Sequence, residues 1–351
     1  DRVVDALVRR CNDYNIEPTI YCDKRHTSEN YHIPGCEIKL INSFGGKYIQ
    51  APIRFLFATI HALFWGDYDL IHLHNIETSY LLPLLRLRYP VISTAHGFAY
   101  WRTKWGKVAK KFIRLMDWPF VKFSNVATSV SLKDAEELKK RYGKKVNFIP
   151  NGVSLDYEPN NEKAKGILDN LGLSIGDYAI FVAGRIEPTK GAHIAIEAVN
   201  QLQTNLQLLI VGDLNQIPEY GKHLKNIANK NTYFHPLMSD KETLFGLMRG
   251  SLFLIFPSTV EAMSMVLLET ASLGVPIIAS DIKENRYVMG DDAIYFTVDN
   301  IESLTERLEW ALSNHPSIAL HAKKAKQRIH KEYNWDKIFS QYESLYRKIV
   351  K

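Results

Sequence analysis

Two glutamates lie eight positions apart in PSTVEAMSMVLLETASLGVPIIASD, residues 257–281. The apolar run SLFLIF just before them predicts a strand, and a helix is expected to begin near Ser264. The free N–H groups and the positive dipole end of such a helix form an anion site. Glu269, about one turn into the helix, could accept hydrogen bonds from two adjacent hydroxyls, as on a ribose. Glu261, in the turn, could accept from a second polyol such as a sugar.

The spacing alone leaves a structural role open for both carboxylates. Glu269 could instead cap the helix or pair with a lysine, and Glu261 could be solvated. The sequence therefore identifies two candidate ligand-binding residues without deciding between these readings.

Two cations lie close together in FVAGRIEPTKGAHIAIEAV, residues 181–199. A strand is expected to end at Gly184 and Arg185, and Lys190 and Gly191 open the next helix. An arginine fork and a lysine point charge at this position suit a diphosphate, and glycines permit close approach of the backbone. The alternative is an exposed basic pair in a βα loop. The segment is not a P-loop, because no Gly-Lys-Ser/Thr follows a glycine-rich run.

A third strand end, LIVGDLN at residues 209–215, places Gly212 where a nucleotide could lie against the backbone. Because many α/β strands end in this way, the feature carries little weight without the other two.

The elements that must position these residues follow from an alternation of short apolar runs with longer amphipathic ones, which is typical of parallel α/β sheets. The strands predicted in the first half are 18–22, 36–41, 68–74, 90–96, 125–130 and 146–150. Those predicted in the second half are 178–184, 206–213, 232–236, 251–258, 275–281 and 293–296. Two doubly wound domains are therefore expected. Asn-Gly, Pro and acidic residues at 148–159 indicate the linker.

The chain begins within an amphipathic helix, DRVVDALVRRCNDYN, with Val3, Leu7 and Cys11 on its apolar face. A doubly wound domain normally opens with a strand that leads into this helix. That strand and the loop after it are not among these residues, and the sequence leaves open whether the protein itself lacks them. This matters because ligand loops lie at the carboxyl ends of such strands.

The composition is that of a soluble globular protein. The 351 residues suffice for two domains, and 46% are hydrophobic and 23% charged. The net charge of +6 suits anionic partners such as phosphates or lipid headgroups. Cys11, Cys22 and Cys36 match no zinc or redox spacing, so a reducing, cytoplasmic location is expected. The longest apolar segment, 51–65, is too short to span a bilayer, which predicts a soluble or peripheral protein.

Together and in this order, the motifs resemble those of family 4 glycosyltransferases. The matching stretches are IPNGV, GRIEPTKG, LLIVGD and FPSTVEAMSMVLLETASLGVPIIASD. In the last of these, Glu261, Glu269, Gly274 and Pro276 fall at the family's positions. The resemblance covers the second half of the chain and, more loosely, the first.

The resemblance implies the GT-B fold, an α/β architecture of two Rossmann-like doubly wound domains that face a cleft. An acceptor-binding domain is then expected at residues 1–152 and a nucleotide-sugar-binding domain at 153–332. A C-terminal helix, 333–351, would return to the first domain, with Trp335 in its core.

For the donor, the resemblance assigns Arg185 and Lys190 to the diphosphate of a nucleotide-sugar. They would stabilise the leaving nucleotide electrostatically, so neither a metal nor a cofactor is expected. Glu269 would bind the ribose hydroxyls, which would satisfy a buried carboxylate. Met238, in the loop HPLMSD, would lie near the base. The remaining donor contacts are expected from Gly184, Gly212, Glu261, Ala262, Met263, Ser264 and Met265.

In the first domain the resemblance points to His96, in STAHGF, as a strand-end histidine next to the donor sugar. With Arg185, Lys190 and Glu261 it completes the expected catalytic set. His74 or Asn75, in IHLHN, would lie near the acceptor. The alternative for these residues is structural, as satisfied groups at the ends of strands.

Two features depart from the family pattern. The commonest turn is Glu-Gly-x-Gly, whereas Ala262 and Ser264 occupy the glycine positions here, which restricts the backbone and could alter the sugar pocket. The glycine-rich loop after the first strand, which in the family faces the donor phosphates and acceptor, is also absent.

Basic and aromatic residues interleave at 98–123, which is typical of an interfacial segment. Because the family often acts on lipid-linked sugars at the inner membrane face, we expect peripheral contact with anionic membrane and a polyprenyl-diphosphate-linked or lipopolysaccharide-type acceptor. The alternative is a helix with a solvated basic face and an aromatic core face. No nucleic-acid-binding fold is recognised. The residues are Trp101, Arg102, Lys104, Trp105, Lys107, Lys110, Lys111, Phe112, Arg114, Trp118, Phe120 and Lys122.

The resulting hypothesis is a metal-independent glycosyltransferase that moves a hexosyl unit from a UDP-sugar, or alternatively a GDP-sugar, to a saccharide or lipid-linked saccharide in cell-surface polysaccharide or glycolipid synthesis. Retention of anomeric configuration is implied by the resemblance only. Two alternatives are a GT-B nucleotide-sugar epimerase and a non-catalytic nucleotide-sugar-binding partner of another transferase. An NAD oxidoreductase is disfavoured, because no Gly-x-Gly-x-x-Gly follows a strand.

Overall fold

The structure is a computed structural model that describes residues 2–28, 30–46, 49–101, 106–155 and 157–350; for Trp101 it describes the backbone only. The chain divides into two compact units. Unit 1 comprises Asp1–Gly152 and Trp335–Lys351, and unit 2 comprises Val153–Asn334.

The strands of unit 1 form two parallel sheets among the described residues. The first has the order β1-β2 and the second the order β3-β4-β5-β6. The six strands predicted from the first half are confirmed, with shorter ends. Their bounds are β1 Thr19–Asp23, β2 Glu37–Ile41, β3 Ile71–His74, β4 Val91–Ala95, β5 Val126–Ser129 and β6 Val146–Phe148.

Unit 2 holds a single six-stranded parallel sheet of order β12-β11-β10-β7-β8-β9. These strands are also the predicted ones. Because the strand order reverses between β7 and β10, the connections from these two strands leave in opposite directions and open a crevice at their carboxyl ends. The bounds are β7 Tyr178–Arg185, β8 Gln207–Asp213, β9 Thr232–His235, β10 Leu254–Phe256, β11 Ile277–Ser280 and β12 Ile294–Phe296.

Helices connect the strands, as parallel pairing requires. The helices that precede unit 2 are α1 Arg2–Cys11, α2 Gln50–Trp65, α3 Leu82–Leu85, α4 Lys107–Leu115, α5 Asp117–Phe123 and α6 Leu132–Tyr142. Those of unit 2 are α7 Asn161–Leu171, α8 Ala192–Gln201, α9 Pro218–Ile227, α10 Lys241–Arg249, α11 Met265–Leu273, α12 Lys283–Met289, α13 Ile301–Ser313 and α14 His315–Glu332. The last helix, α15 Trp335–Val350, belongs to unit 1.

The central strands of unit 2 are buried on both faces, which is why their sequences are continuously apolar. In β7, residues Tyr178 to Ala183 are all buried, whereas the last two residues, Gly184 and Arg185, are exposed. The core therefore ends where the ligand-binding edge of the sheet begins.

In unit 1, α15 packs against α1 and supplies core side chains. Trp335, Ile338, Phe339 and Tyr342 are buried, and the Tyr14 and Phe339 rings lie 5.0 Å apart between centroids. The prediction that Trp335 is a core residue is confirmed. No helix among the described residues combines the length and apolarity needed to cross a bilayer.

Candidate functional site

The loops that follow β7 and β10 are fastened to each other at the crevice of unit 2. The Thr259 N–H donates a 2.8 Å hydrogen bond to the carbonyl of Thr189. Gly191 has a φ of +73°, and a Cβ at this position would collide with the carbonyl oxygen of Pro257. Glycine is thus required here by both conformation and close packing. The two loops form one frame at the edge where α/β sheets bind ligands.

Arg185 is the exposed last residue of β7. Within the described parts of the chain, no hydrogen bond or ion pair engages its guanidinium group. A Cβ built on the neighbouring Gly184 would meet no atom within 4 Å. The surface beside Arg185 is therefore open to an anion and to the backbone approach that the sequence predicts.

Lys190 and Glu261, two predicted site residues, are in direct contact. The Lys190 ammonium lies 2.6 Å from Oε1 of Glu261. The carboxylate side chain is 9% exposed and the lysine side chain 27% exposed. Glu261 is therefore not a solvated turn residue, and a ligand phosphate that engages Lys190 must share or displace this pairing.

Ser264 caps α11, so the predicted helix start is confirmed. Its hydroxyl accepts a 3.3 Å hydrogen bond from the Leu267 N–H. The N–H groups of Met265 and Val266 belong to the same first turn, whose donors have no intrahelical acceptor. Met263 and Ser264 are buried, whereas Ala262 and Met265 are half-buried. Backbone groups rather than the Met263 side chain are therefore available to a ligand.

Glu269 is 2% exposed, and Lys241 forms an ion pair with it. The lysine Nζ lies 3.7 Å from Glu269 Oε1 and 4.7 Å from the centroid of the Tyr157 ring. The lysine pairing considered in the sequence thus exists. It does not exhaust the carboxylate, which offers about four lone-pair sites.

Met238 lies in the loop between β9 and α10 and is half-buried. The loop is fixed at its end by Asp240, whose carboxylate accepts hydrogen bonds from the backbone N–H and the hydroxyl of Thr243. These bonds lower the pKa of Asp240. Because Lys241 follows directly, the loop is linked through that lysine to Glu269 on α11.

Gly212 has a packing role. A Cβ there would collide with the Ala183 carbonyl oxygen and approach Ile186. Contact with β7 and the residue that follows it explains this glycine without a ligand.

The strand ends of unit 1 bring His74 and His96 together. Nδ1 of His74 lies 2.9 Å from Nε2 of His96, and the two rings stack with centroids 5.2 Å apart. The acceptor-side candidate His74 therefore has a protein partner, and that partner is the other predicted histidine. The neighbouring Asn75 has a φ of +76°, which is uncommon for a residue other than glycine and is often found at functional sites.

A hydrogen-bonded chain that the sequence did not reveal supports these histidines. Nδ1 of His72 lies 2.8 Å from the Tyr346 hydroxyl of α15, and its Nε2 lies 2.7 Å from Thr94 Oγ1. Thr94 contacts the Thr128 hydroxyl, which donates to the Ser93 carbonyl. Since Thr128 donates onward, Thr94 donates to it and accepts from His72. His72 is therefore protonated at Nε2 and accepts from Tyr346 at Nδ1.

Burial makes this neutral form the favoured one. It lowers the pKa of His72 to about 3, and the nearby His96 adds to the effect. The pKa of His74 is lowered well below its usual value for the same principal reason. Both rings therefore act as neutral hydrogen-bonding groups.

The prediction that residues 98–123 form an interfacial segment agrees with only some of its aromatic side chains. Phe112 and Trp118 are exposed, but Phe120 is fully buried in the unit 1 core. An interfacial position for Phe120 is thus wrong, because α5 turns this side chain inward. Arg102, Lys104 and Trp105, and the side chain of Trp101, lie outside the described residues.

Two family models match the chain. The model described as glycosyltransferase family 4 matches residues 1–157, and the model described as glycosyl transferases group 1 matches residues 167–332. The two matches fall in the first and second halves of the chain and leave few residues unmatched.

Curated relatives are distant. A D-inositol 3-phosphate glycosyltransferase of Xylanimonas cellulosilytica is 25% identical over 260 residues, which cover 68% of this chain and 62% of that protein. The chain thus spans less than two thirds of the length of this relative. The UDP-Gal:alpha-D-GlcNAc-diphosphoundecaprenol alpha-1,3-galactosyltransferase of Escherichia coli is 24% identical over 302 residues, which cover 81% of this chain and 76% of that protein.

Among solved structures, HepE of Anabaena in complex with UDP and glucose superposes with a TM-score of 0.81 at 17% identity, over 98% of this chain and 95% of HepE. At this identity the similarity establishes the GT-B fold alone. The family matches establish more than the fold. Together with the fold and the two glutamates Glu261 and Glu269, they show that the chain belongs to the group 1 glycosyltransferases of family 4.

Proposed function

We propose that this protein transfers a hexosyl unit from a nucleotide-sugar, with UDP as the expected nucleotide, to a saccharide or lipid-linked saccharide. The observation that carries the proposal is the Lys190–Glu261 contact of 2.6 Å across the crevice of unit 2. It places a cation for a phosphate and an acceptor for a sugar hydroxyl side by side.

The leaving group is the nucleoside diphosphate, and negative charge develops on it as the glycosidic bond breaks. Arg185 is exposed, and Lys190 contacts Glu261 in the turn before α11, so both can approach that charge. Fixed cations at a developing charge are an effective form of catalysis, because the protein need not reorganise around it. The same cations support metal-independent transfer, which we propose together with retention of configuration. Retention is supported by family membership alone.

The nucleoside is proposed to lie between Glu269 and the loop that carries Met238. Glu269 accepts the ribose hydroxyls, and Lys241 helps to orient its carboxylate. The donor sugar is proposed to contact Glu261 and the backbone of residues 262–265. HepE was crystallised with UDP and glucose, which favours testing uridine first.

On the acceptor side we propose Asn75, with His74 acting through His96. The E. coli relative is named for a diphosphoundecaprenol-linked acceptor, which supports a lipid-linked acceptor here. Peripheral contact of residues 98–123 with anionic membrane is proposed on the same basis.

The test compares Lys190→Met with Lys324→Met, a matched change at an exposed lysine of α14. Calorimetry with UDP, GDP and ADP measures binding. Transfer from a panel of UDP-sugars to a short-chain polyprenyl-diphosphate-linked N-acetylglucosamine measures activity, with and without EDTA. We expect UDP binding and EDTA-resistant transfer that Lys190→Met slows by about 100-fold, as for loss of one charge-stabilising group. The control variant should retain both properties.

Several outcomes would contradict the proposal. UDP binding without transfer to any acceptor would favour the non-catalytic partner, and conversion of the donor alone to an epimer would favour the epimerase. Unchanged kinetics in Lys190→Met would remove the diphosphate assignment.

A further inference from the structure

Helix α2 presents apolar side chains to solvent as well as to the core. Its sequence, QAPIRFLFATIHALFW, is apolar on most sides, yet only Thr59 and Ala62 are buried. On the opposite side, apolar residues recur at the spacing of one helical face, where a surface helix normally carries polar residues. The stripe comprises Ile49, Ile53, Leu56, Phe57, Ile60 and Phe64.

The exposure of this stripe is large at its ends. Ile49 is 57% exposed and Phe64 is 72% exposed, and the adjacent Trp65 is 70% exposed. Ile53 and Ile60 are half-buried between them. From the sequence alone this segment is only too short to span a bilayer, since apolarity does not reveal which side of a helix faces the core.

Helix α4 repeats the arrangement. Val108, Phe112 and Leu115 follow one another at i, i+4 and i+7 and are all exposed, Val108 at 85%, whereas Ile113 faces the core. Lys107 and Lys111 are exposed next to this stripe. An apolar stripe flanked by cations, on the solvent side of a short helix, is the pattern of a helix that lies in a membrane interface.

Helices α3 and α5 connect these two stripes. Helix α3 packs against α2 and α5, and α5 packs against α4. Leu84 on α3, Leu87 just after that helix and Trp118 on α5 are also exposed. We call the exposed apolar residues of α2 to α5, with Ile49, the apolar face of unit 1. Apolar patches of this extent usually mark an interaction surface, whereas isolated exposed residues do not.

The charged residues of the segments that carry this face are mostly cations. Residues 38–66 and 78–116 contain no aspartate or glutamate. The first segment carries Lys39, Lys47 and Arg54, and the second carries eight lysines and arginines. Whatever covers the apolar face is therefore expected to be anionic. A second copy of the same face would oppose like charges, which is costly at an interface.

We propose that the apolar face of unit 1 docks on an anionic bilayer, with α2 and α4 lying in the interface and inserting the stripe residues. Two separate helices with outward apolar stripes and interspersed cations fit a broad lipid surface better than a groove for one peptide. The inference deepens the proposed function, on which its use for a lipid-linked acceptor rests. It also adds α2 and α3 to the predicted contact segment.

The test is co-sedimentation of the full chain with vesicles of equimolar phosphatidylglycerol and phosphatidylcholine, or of phosphatidylcholine alone. The apolar variant combines Leu56→Ser with Phe64→Ser. Its matched control combines Ile175→Ser with Leu320→Ser, two exposed apolar residues of unit 2. A third variant combines Lys107→Gln with Lys111→Gln.

We expect the wild type to bind the anionic vesicles about tenfold or more tightly than the neutral ones, and the apolar variant to lose about tenfold or more of that affinity. The lysine variant should lose several-fold, and the unit 2 control should bind like the wild type. The UDP-dependent rise in melting temperature should persist in all variants, so the docking surface is tested separately from the donor site.

Three results would overturn the inference. The first is failure to bind anionic vesicles at low salt, and the second is equal loss in the apolar variant and its control. The third is binding to polyglutamate but not to vesicles, or a dimer that dissociates in the apolar variant, which would assign the face to an acidic protein or to a second copy. A failure of UDP binding with vesicle binding intact would instead contradict the proposed transfer.

Discussion

Glu269 combines a buried carboxylate with a nearby cation. Lys241 lies 3.7 Å from it, which offsets part of the cost of burying a charge. The two readings of Glu269 from the sequence, ribose acceptor and lysine partner, are therefore compatible. The lysine helps to orient the carboxylate, and the ribose hydroxyls are proposed to donate to it.

We predict that Glu269→Gln weakens UDP binding by about 10- to 100-fold, because a hydrogen bond to a charged group contributes about 1.5–3 kcal/mol. Calorimetric titration with UDP measures the change. Glu306→Gln, at an exposed glutamate of α13, is the matched control and should bind like the wild type. An unchanged dissociation constant in Glu269→Gln would remove the ribose assignment.

The His74–His96 contact leads to a second residue-scale prediction. His74→Phe keeps an aromatic ring beside His96 but removes the 2.9 Å hydrogen bond. We expect kcat for transfer to fall about tenfold, as for loss of one hydrogen bond of about 1 kcal/mol or slightly more, while the UDP dissociation constant stays unchanged.

His74→Asn is the informative companion, because its side-chain amide can occupy the position of Nδ1. It should restore part of the lost kcat. Nitrogen-15 spectra of the histidine rings should show one His96 tautomer in the wild type and a mixture in His74→Phe. Equal activity in all three proteins would show that the histidine pair has no positioning role.

At the scale of elements, the frame formed by the loops after β7 and β10 depends on Gly191. We predict that Gly191→Ala destabilises the protein and weakens UDP binding, since it places Cβ against Pro257 at a φ of +73°. Gly172→Ala is a close control, because its φ is +70° and its Cβ would meet no atom within 4 Å.

Thermal unfolding and UDP calorimetry of the two variants separate two effects. Both variants carry the strain of a left-handed φ, but only Gly191→Ala adds the collision of Cβ with Pro257. The control should lose about 1–2 kcal/mol, the cost of a left-handed conformation, and should bind UDP normally. If both variants bind UDP like the wild type, the frame does not position the donor site.

The neutral histidines of β3 predict a pH dependence of unit 1. The pKa of His72 is about 3 in the folded protein and about 6.5 when unfolded. The unfolded chain therefore binds a proton that the folded chain does not. Stability is complete above about pH 6.5 and falls as the pH decreases towards 3.

As the pH falls from 6.5 to 5, the protonation of His72 in the unfolded chain should lower the free energy of unfolding by up to about 2 kcal/mol. Thermal unfolding of the wild type and of His72→Gln, measured over that interval, tests the sign and the size. His74 titrates in the same direction and remains in both proteins. The wild type should lose more stability than the variant, and identical slopes would contradict the assignment.

Elements were more predictable from the sequence than contacts between them. All twelve strands were visible as apolar runs, because buried parallel strands have few polar positions. The helix start near Ser264 was predicted from the turn that follows the apolar strand, and the structure shows Ser264 as its cap. By contrast, Lys241 reaches Glu269 across 28 positions, and Tyr346 reaches His72 across the whole of unit 2, so no local pattern could pair them.

The direction in which an element faces was also hidden. Phe120 and Phe112 belong to one basic and aromatic segment, yet the first is fully buried and the second exposed. Only the packing of α5 and α4 against the rest of unit 1 determines which of the two side chains is buried. In the same way, the apolar sequence of α2 did not reveal its exposed stripe.

For the whole molecule, α15 makes unit 1 discontinuous in sequence. We predict that truncation after Asn334 unfolds unit 1, since it removes the buried Trp335, Ile338, Phe339 and Tyr342, while unit 2 still binds UDP. Hydrogen exchange measured with and without UDP distinguishes the two units. Truncation after Arg347 keeps these four residues and should leave both units protected. Protection of β3 and β4 in the longer deletion would contradict the prediction.

The discontinuity also sets an order for synthesis on the ribosome. Unit 2 is one uninterrupted stretch and can fold as soon as Asn334 has left the exit tunnel. Unit 1 is translated first in its larger part, yet it must wait through residues 153–334 for its last helix. At about 5–20 residues per second, that delay is roughly 10 to 40 seconds. During this interval the nascent polypeptide exposes the surfaces that α15 later covers, so its need for chaperones should be greatest then.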